Sequence, residues 1–143
     1  MRHFISFALI IVLGLGLASC GKPDRKTADK TLQDACIAAI KVLYAPEDTL
    51  DIKEKSFSKD KTPDGLELRK VHLMAHYVQN GGYIQMKEYN CWFEETSGIA
   101  GFSQKFYRLE KDGQRLGNFD GKMEGDFQDQ LKIQEATDAI LRK

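Results

Sequence analysis

The chain has 143 residues, of which 42% are hydrophobic and 29% charged. Lys plus Arg number 21 and Asp plus Glu number 21, a zero balance that excludes a nucleic-acid binder held by bulk electrostatics. The length allows one domain, and 12 Gly with 3 Pro exclude collagenous and low-complexity chains.

Met1, Arg2 and His3 make a short basic start, and residues 4–15 (FISFALIIVLGL) are almost wholly apolar. This order has the form of a secretory signal, which is removed and not folded. A membrane-spanning helix needs roughly 20 apolar residues, and this run is shorter. Leu17, Ala18, Ser19 and Cys20 follow. The segment resembles the lipobox of bacterial prolipoproteins, an aliphatic residue and two small ones before a Cys. The resemblance implies that residues 1–19 are a lipoprotein signal peptide. It implies that Cys20 becomes the first mature residue, thioether-linked to diacylglycerol and N-acylated, so that membrane lipid is engaged through Cys20. Such alkylation needs a thiolate nucleophile, and three acyl chains exceed the two signals that suffice for stable anchoring. In enteric bacteria an Asp after the Cys favours inner-membrane retention, so Gly21 points to the outer membrane, facing the periplasm. An ordinary signal peptide with an incidental Cys, or a retained anchor, are the other readings of the same residues.

Without Arg2 the mature chain holds 20 basic and 21 acidic side chains, a net of −1. Residues 20–28 read as the lipidated Cys and a short polar tether, and 29–143 as a single small α+β domain. Two cysteines remain there, Cys36 and Cys91. An even count in an exported chain points to a disulfide. Free buried thiols, or a metal or redox site, are the alternatives, although no CxxC is present.

Apolar residues recur with helical spacing at Leu32, Cys36, Ala39, Ile40 and Leu43, predicting a helix over 31–44 that opens on a Thr31–Asp34 capping box and closes at Pro46. Residues 50–59 form a weak strand, and Thr62-Pro63-Asp64-Gly65 a strong turn. Residues 66–79 and 83–95 flank Asn80-Gly81-Gly82 as a hairpin. A helix over 66–78 is the alternative, since Val71, Met74, Ala75 and Val78 also fit helical spacing. Residues 101–111 and 114–119 follow as strands joined at Asp112-Gly113. A three-residue hairpin loop pairs Val71 with Cys91 and Leu73 with Tyr89, gathering Val71, Leu73, Ala75, Tyr77, Tyr89, Cys91 and Phe93 on one face; a one-residue slip would invert every face. Residues 124–143 form an amphipathic helix with an apolar stripe at Phe127, Leu131, Ala136, Ile140 and Leu141, acidic at its start and basic at its end. The expected fold is an antiparallel β-meander of four to five strands, an N-terminal helix disulfide-linked to it, and a C-terminal amphipathic helix.

Candidate chemistry is sparse. His72 and His76 could share a metal on a helix, but on a strand they stand about 13 Å apart. They also lack the Glu of HExxH. Residues 118–126 have oxygen side chains spaced somewhat as in a calcium loop, with Lys122 at a ligand position. No GxSxG, Walker or GxGxxG motif occurs. No catalytic residue, metal or cofactor is therefore assigned. Charges alternate along residues 51–64 as on a solvated strand, or as a docking patch for an anionic partner. The second hairpin face carries Met74, Val78, Ile84, Met86 and Trp92 among polar residues. Either the C-terminal helix covers them, or they form an interaction surface with Trp92 as anchor. The expected function is a non-enzymatic envelope lipoprotein that binds an envelope protein partner and no nucleic acid. The alternative is a lipid- or metabolite-binding lipoprotein with a cavity between sheet and helix.

Overall fold

The computed structural model describes residues 24–143 apart from Ala100. The expected signal peptide, residues 1–19, and the expected lipidation site Cys20 lie outside the described residues. Helix α1 (Arg25–Lys41) precedes strands β1 (Thr49–Lys61), β2 (Glu67–Val78), β3 (Ile84–Gly98), β4 (Gly101–Lys111), β5 (Gln114–Phe119) and β6 (Lys122–Glu124), and helix α2 (Phe127–Leu141) ends the chain. The strands form one antiparallel sheet in chain order, β1 to β6. The fold is α+β as expected, with one strand more, because the short β6 extends the meander.

The central hairpin has the expected register: Val71 pairs with Cys91 and Leu73 with Tyr89. The strand alternative for 66–78 is the one adopted. Val71, Leu73, Ala75, Tyr77, Tyr89, Cys91 and Phe93 are all buried and point to the same side. Leu109 of β4 and Leu116 of β5 continue that side, since Cys91 pairs with Leu109 and Leu109 with Leu116. Leu32, Ala35, Cys36, Ala39 and Ile40 of α1 complete the core. The Cys36–Cys91 disulfide joins helix to sheet, with its Cα atoms 5.8 Å apart.

Helix α1 begins at Arg25, six residues before the expected start and within the stretch read as tether. Ala28 is buried against the core, and Arg25 and Asp29 meet charged partners on the sheet. Those long-range ion pairs hold a polar turn in helical form. Thr31 is therefore no N-cap; its hydroxyl donates to the Thr27 carbonyl, and Asp34 pairs with Lys30.

The stripe expected on α2 is also displaced. Ile133 and Thr137 are its buried residues, with Ile140 and Leu141 partly buried, whereas Phe127 and Leu131 are exposed. The helix packs on α1, β4 and β5 and turns the Ile133–Thr137 face inward. Thr137 tolerates burial because its hydroxyl donates to the Ile133 carbonyl at 2.9 Å. The helix is capped by Asp126, which accepts from the Gln128 and Asp129 amides, and not at Glu124.

Gly117 sits at φ +110°, and a Cβ there would stand 2.7 Å from the Tyr107 carbonyl oxygen. Only glycine lets β5 approach β4 so closely.

The disulfide closes a loop with a sequence separation of 55. Reduction, or the double substitution Cys36→Ala/Cys91→Ala, should lower stability by up to about 4 kcal/mol on the chain-entropy account. Urea unfolding with and without reductant measures it.

Candidate interaction surface

Because Ile133 of α2 and the buried face of α1 share one core, both helices lie on the same side of the sheet. Among the described residues no helix covers the opposite, outer side. That side carries Lys70, His72, Met74, His76 and Val78 of β2 opposite Trp92, Asn90, Glu88, Met86 and Ile84 of β3. Its two halves differ in chemistry.

The half containing Trp92 is sealed. Trp92 is only 5% exposed. Its indole N–H donates to Asp60 Oδ2 at 2.7 Å. The Arg108 guanidinium lies 4.5 Å from the ring centroid and the Lys70 ammonium 5.0 Å, while Phe119 meets the ring edge-on. Arg115 in turn lies 4.3 Å over Phe119. Cation–π contacts of this kind are each worth about 0.5–2 kcal/mol. They convert an apolar surface into a charged one without a helix. Trp92 is thus a packing residue and not the exposed anchor expected from its position. The arrangement was hidden in the sequence because the cover comes from β1, β2, β4 and β5 together.

The other half is open. Ile84 is 66% and Met86 53% exposed, with Tyr83 exposed beside them, and Met74 and Val78 are half-buried. His76 pairs across with Met86, and Val78 with Ile84, so the strip is continuous across two strands. Its neighbours are acidic: Glu54 and Glu88 flank Met74 from either side, and Asp51 stands beside His76. Asp51 pairs with Lys53, whereas Glu88 takes a hydrogen bond from Asn90. His72 and His76 are on β2, with Met74 between them. Their nearest organised polar contact is His72 Nδ1 with Asn90 Oδ1 at 3.0 Å. Among the described residues no group of three or more His, Cys, Asp or Glu side chains is placed to hold a metal ion. In the segment considered as a calcium loop, Asn118 accepts from the Gly121 amide, Glu124 pairs with Arg115 and Asp126 caps α2.

Two polar clusters on the helix side were not foreseen. At the start of α1, Arg25 bonds Glu95 (Nη2 to Oε2, 2.9 Å), and Arg69 grips Asp29 with two hydrogen bonds of 3.0 and 2.7 Å. Gln104 donates to Glu95 at 2.8 Å. At the far end of α1, the rings of Tyr44 and Tyr77 stack at 4.4 Å, and the Tyr44 and Tyr89 hydroxyls are 2.9 Å apart. The Lys111 ammonium lies 4.3 Å from the Tyr44 centroid and Lys87 4.8 Å from that of Tyr77. Burial pushes the Tyr44 and Tyr89 hydroxyls above their ordinary range, and the hydrogen bond to Asp48 pushes Tyr77 up to about 12. All three stay protonated near neutrality. Burial and the neighbouring Lys87 push the Lys111 amine down. Tyr77 and Tyr89 were legible as inward residues; Tyr44 joins them only because the chain turns tightly after Lys41.

Space between α1 and the sheet, which a ligand cavity would need, is filled by Leu32, Cys36, Ile40, Leu73, Tyr89 and Phe93, all fully buried. An open cleft of about 720 Å³ lies between the first turns of α1 and β1, with Phe57 and Lys55 on its strand side. Comparison of the chain with protein families, with curated proteins and with solved structures finds no match.

Two outcomes are expected from these clusters. Trp92→Ala should destabilise the fold by about 3–5 kcal/mol, as for other buried aromatic truncations, seen as a lower urea midpoint. Burial pushes the Glu95 carboxyl up, but hydrogen bonds from Arg25 and Gln104 and the charge of Arg25 outweigh it and hold the carboxyl below its ordinary range. Asp60 is likewise held down, by Trp92, the Lys61 amide and Arg108 against burial. Their contribution is present above the unfolded carboxylate values of about 3.9–4.3 and is lost as pH falls through the lower folded values. The urea midpoint should therefore fall as the pH drops below about 5, and Glu95→Gln should be less stable at neutral pH with a shallower acid limb.

Proposed function

We propose that the protein is a membrane-anchored envelope lipoprotein that acts by binding and not by catalysis, with the outer sheet face as its docking surface. The anchor is the acylated Cys20 that the lipobox resemblance implies, and the position is the periplasmic side of the outer membrane. No helix among the described residues is long and apolar enough to cross a membrane. Cys36 and Cys91 are consumed by their disulfide, which leaves neither as a thiol nucleophile.

The observation that carries the binding reading is the division of the sheet. Both helices take one side, and Ile84, Met86, Met74 and Val78 form an apolar strip on the other. Exposed methionine and isoleucine side chains in one continuous strip suit a protein contact. The carboxylates of Glu54 and Glu88 beside the strip select the partner's chemistry. It is an envelope protein presenting apolar side chains flanked by Lys or Arg, so that the rim charges are complementary and steer the encounter. Trp92 belongs to the frame of this surface and not to its contact points.

A photo-crosslinking residue placed at Ile84 or Met86 in the lipidated protein tests this in cells. One recurring protein should be captured from these positions and not from Lys143. Capture should be lost in Ile84→Asp/Met86→Asp, and the captured segment should carry basic residues. Such exposed substitutions should leave stability within about 0.5 kcal/mol. Equal capture from all three positions, or a captured segment without basic residues, would overturn the reading.

A further inference from the structure

The structure has two ends, and the lipid can reach only one. We propose that the tip of the β3–β4 hairpin at Ile99 rests at the acyl boundary of the bilayer that holds the Cys20 lipid, an inference that builds on the lipoprotein reading above.

Three residues lie between Cys20 and Asp24, so an acylated Cys20 lies within about 14 Å of Asp24 whatever path the link takes. Asp24 is the N-cap of α1, and the next residue is pinned. Arg25 is bonded to Glu95, and its guanidinium lies 4.3 Å from the Phe102 ring centroid. Glu95 and Phe102 are on β3 and β4 at the base of the hairpin that joins them. The anchor is therefore tied to this end of the sheet by two strong contacts and a short link.

Ile99 is fully exposed at that hairpin's tip. Single exposed apolar residues are common. What distinguishes Ile99 is its place, three residues from the Phe102 that Arg25 covers. Turns in water favour Gly, Pro, Asn, Asp and Ser, and a β-branched apolar side chain at a tip is favourable only where something removes it from water. The bilayer that takes the acyl chains is within its reach. Exposed charges at this end are mixed in sign, with Lys26, Lys59, Lys61 and Lys105 against Asp24, Asp64 and Glu67. The contact then owes little to headgroup charge and should survive high salt. The opposite end of the sheet holds Tyr83 and Ile84. Twelve residues of β2 place it roughly 35 Å away, so the docking strip extends from the membrane toward the periplasm.

The natural chain has one Trp, the buried Trp92, which supplies a constant background. Full-length lipidated protein carrying Ile99→Trp or Tyr83→Trp is reconstituted into phosphatidylethanolamine vesicles with brominated acyl chains. Intact mass reports acylation of Cys20. The expected result is loss and blue shift of the Ile99→Trp emission at low and high salt, with Tyr83→Trp unchanged. Acylated protein in which position 99 is not quenched, or is quenched no more than position 83, would overturn the orientation and leave the lipoprotein reading standing. Protein found without acylation at Cys20 would overturn both.

Discussion

The register of the β2–β3 hairpin is the constraint on which the other features depend. With Val71 opposite Cys91, every second residue of both strands faces one side, and that side is where an apolar helix can be received. Cys91 then stands where Cys36 of α1 can reach it. A slip of one residue would turn Cys91 and Tyr89 outward and leave α1 without a surface. The disulfide makes the consequence covalent, but the alternation of side chains decides it.

One-sided helix packing has a cost and a use. The outer side of a six-stranded sheet would normally need cover. In the half near Trp92 the cover is made by long cationic side chains laid over aromatic rings, with Asp60 satisfying the indole. Arg108 lies over the rings of both Trp92 and Phe119, and with Asp60, Lys70 and Arg115 the cluster draws on five strands. In the other half no such lid forms, since Ile84, Met86 and Met74 have carboxylates and His side chains as neighbours instead of arginines. The sealed half gives rigidity and the open half leaves an apolar strip. The edge strand β1 is protected differently, by Lys53, Lys55, Lys59 and Lys61 and by a bulge between Ile52 and Glu54, which deters pairing with another chain.

Much of this was readable from local pattern. Turn residues marked the strand boundaries within a few positions, and the coherence of one face set the hairpin register. The pairing of Cys36 with Cys91 followed from count and face. Met74, Val78, Ile84, Met86 and Trp92 share the second face as the alternation indicates, because period-two alternation assigns faces without knowledge of neighbours. Three things were not readable. The first turns of α1 look like tether in isolation and become helix because Glu95 and Arg69, 70 and 40 residues away from Arg25 and Asp29, hold them. The face of α2 was assigned by hydrophobicity to Phe127, Leu131, Ala136, Ile140 and Leu141; Ile140 and Leu141 do pack on the core, but Phe127 and Leu131 are exposed and Ile133 and Thr137 are buried instead. The Trp92 cover needs residues from strands that no pairwise pattern links.

By itself, then, the sequence determined the α+β meander, the strand register, the disulfide and the lipobox resemblance, because each rests on short-range periodicity or on a motif of adjacent residues. Only the tertiary structure decided that both helices share one side of the sheet, that Trp92 is sealed while Ile84 and Met86 stay exposed, and that the start of α1 lies beside the β3–β4 hairpin. Those outcomes depend on which distant side chains arrive together, and ion pairs and cation–π contacts between distant residues leave no periodic trace in the chain.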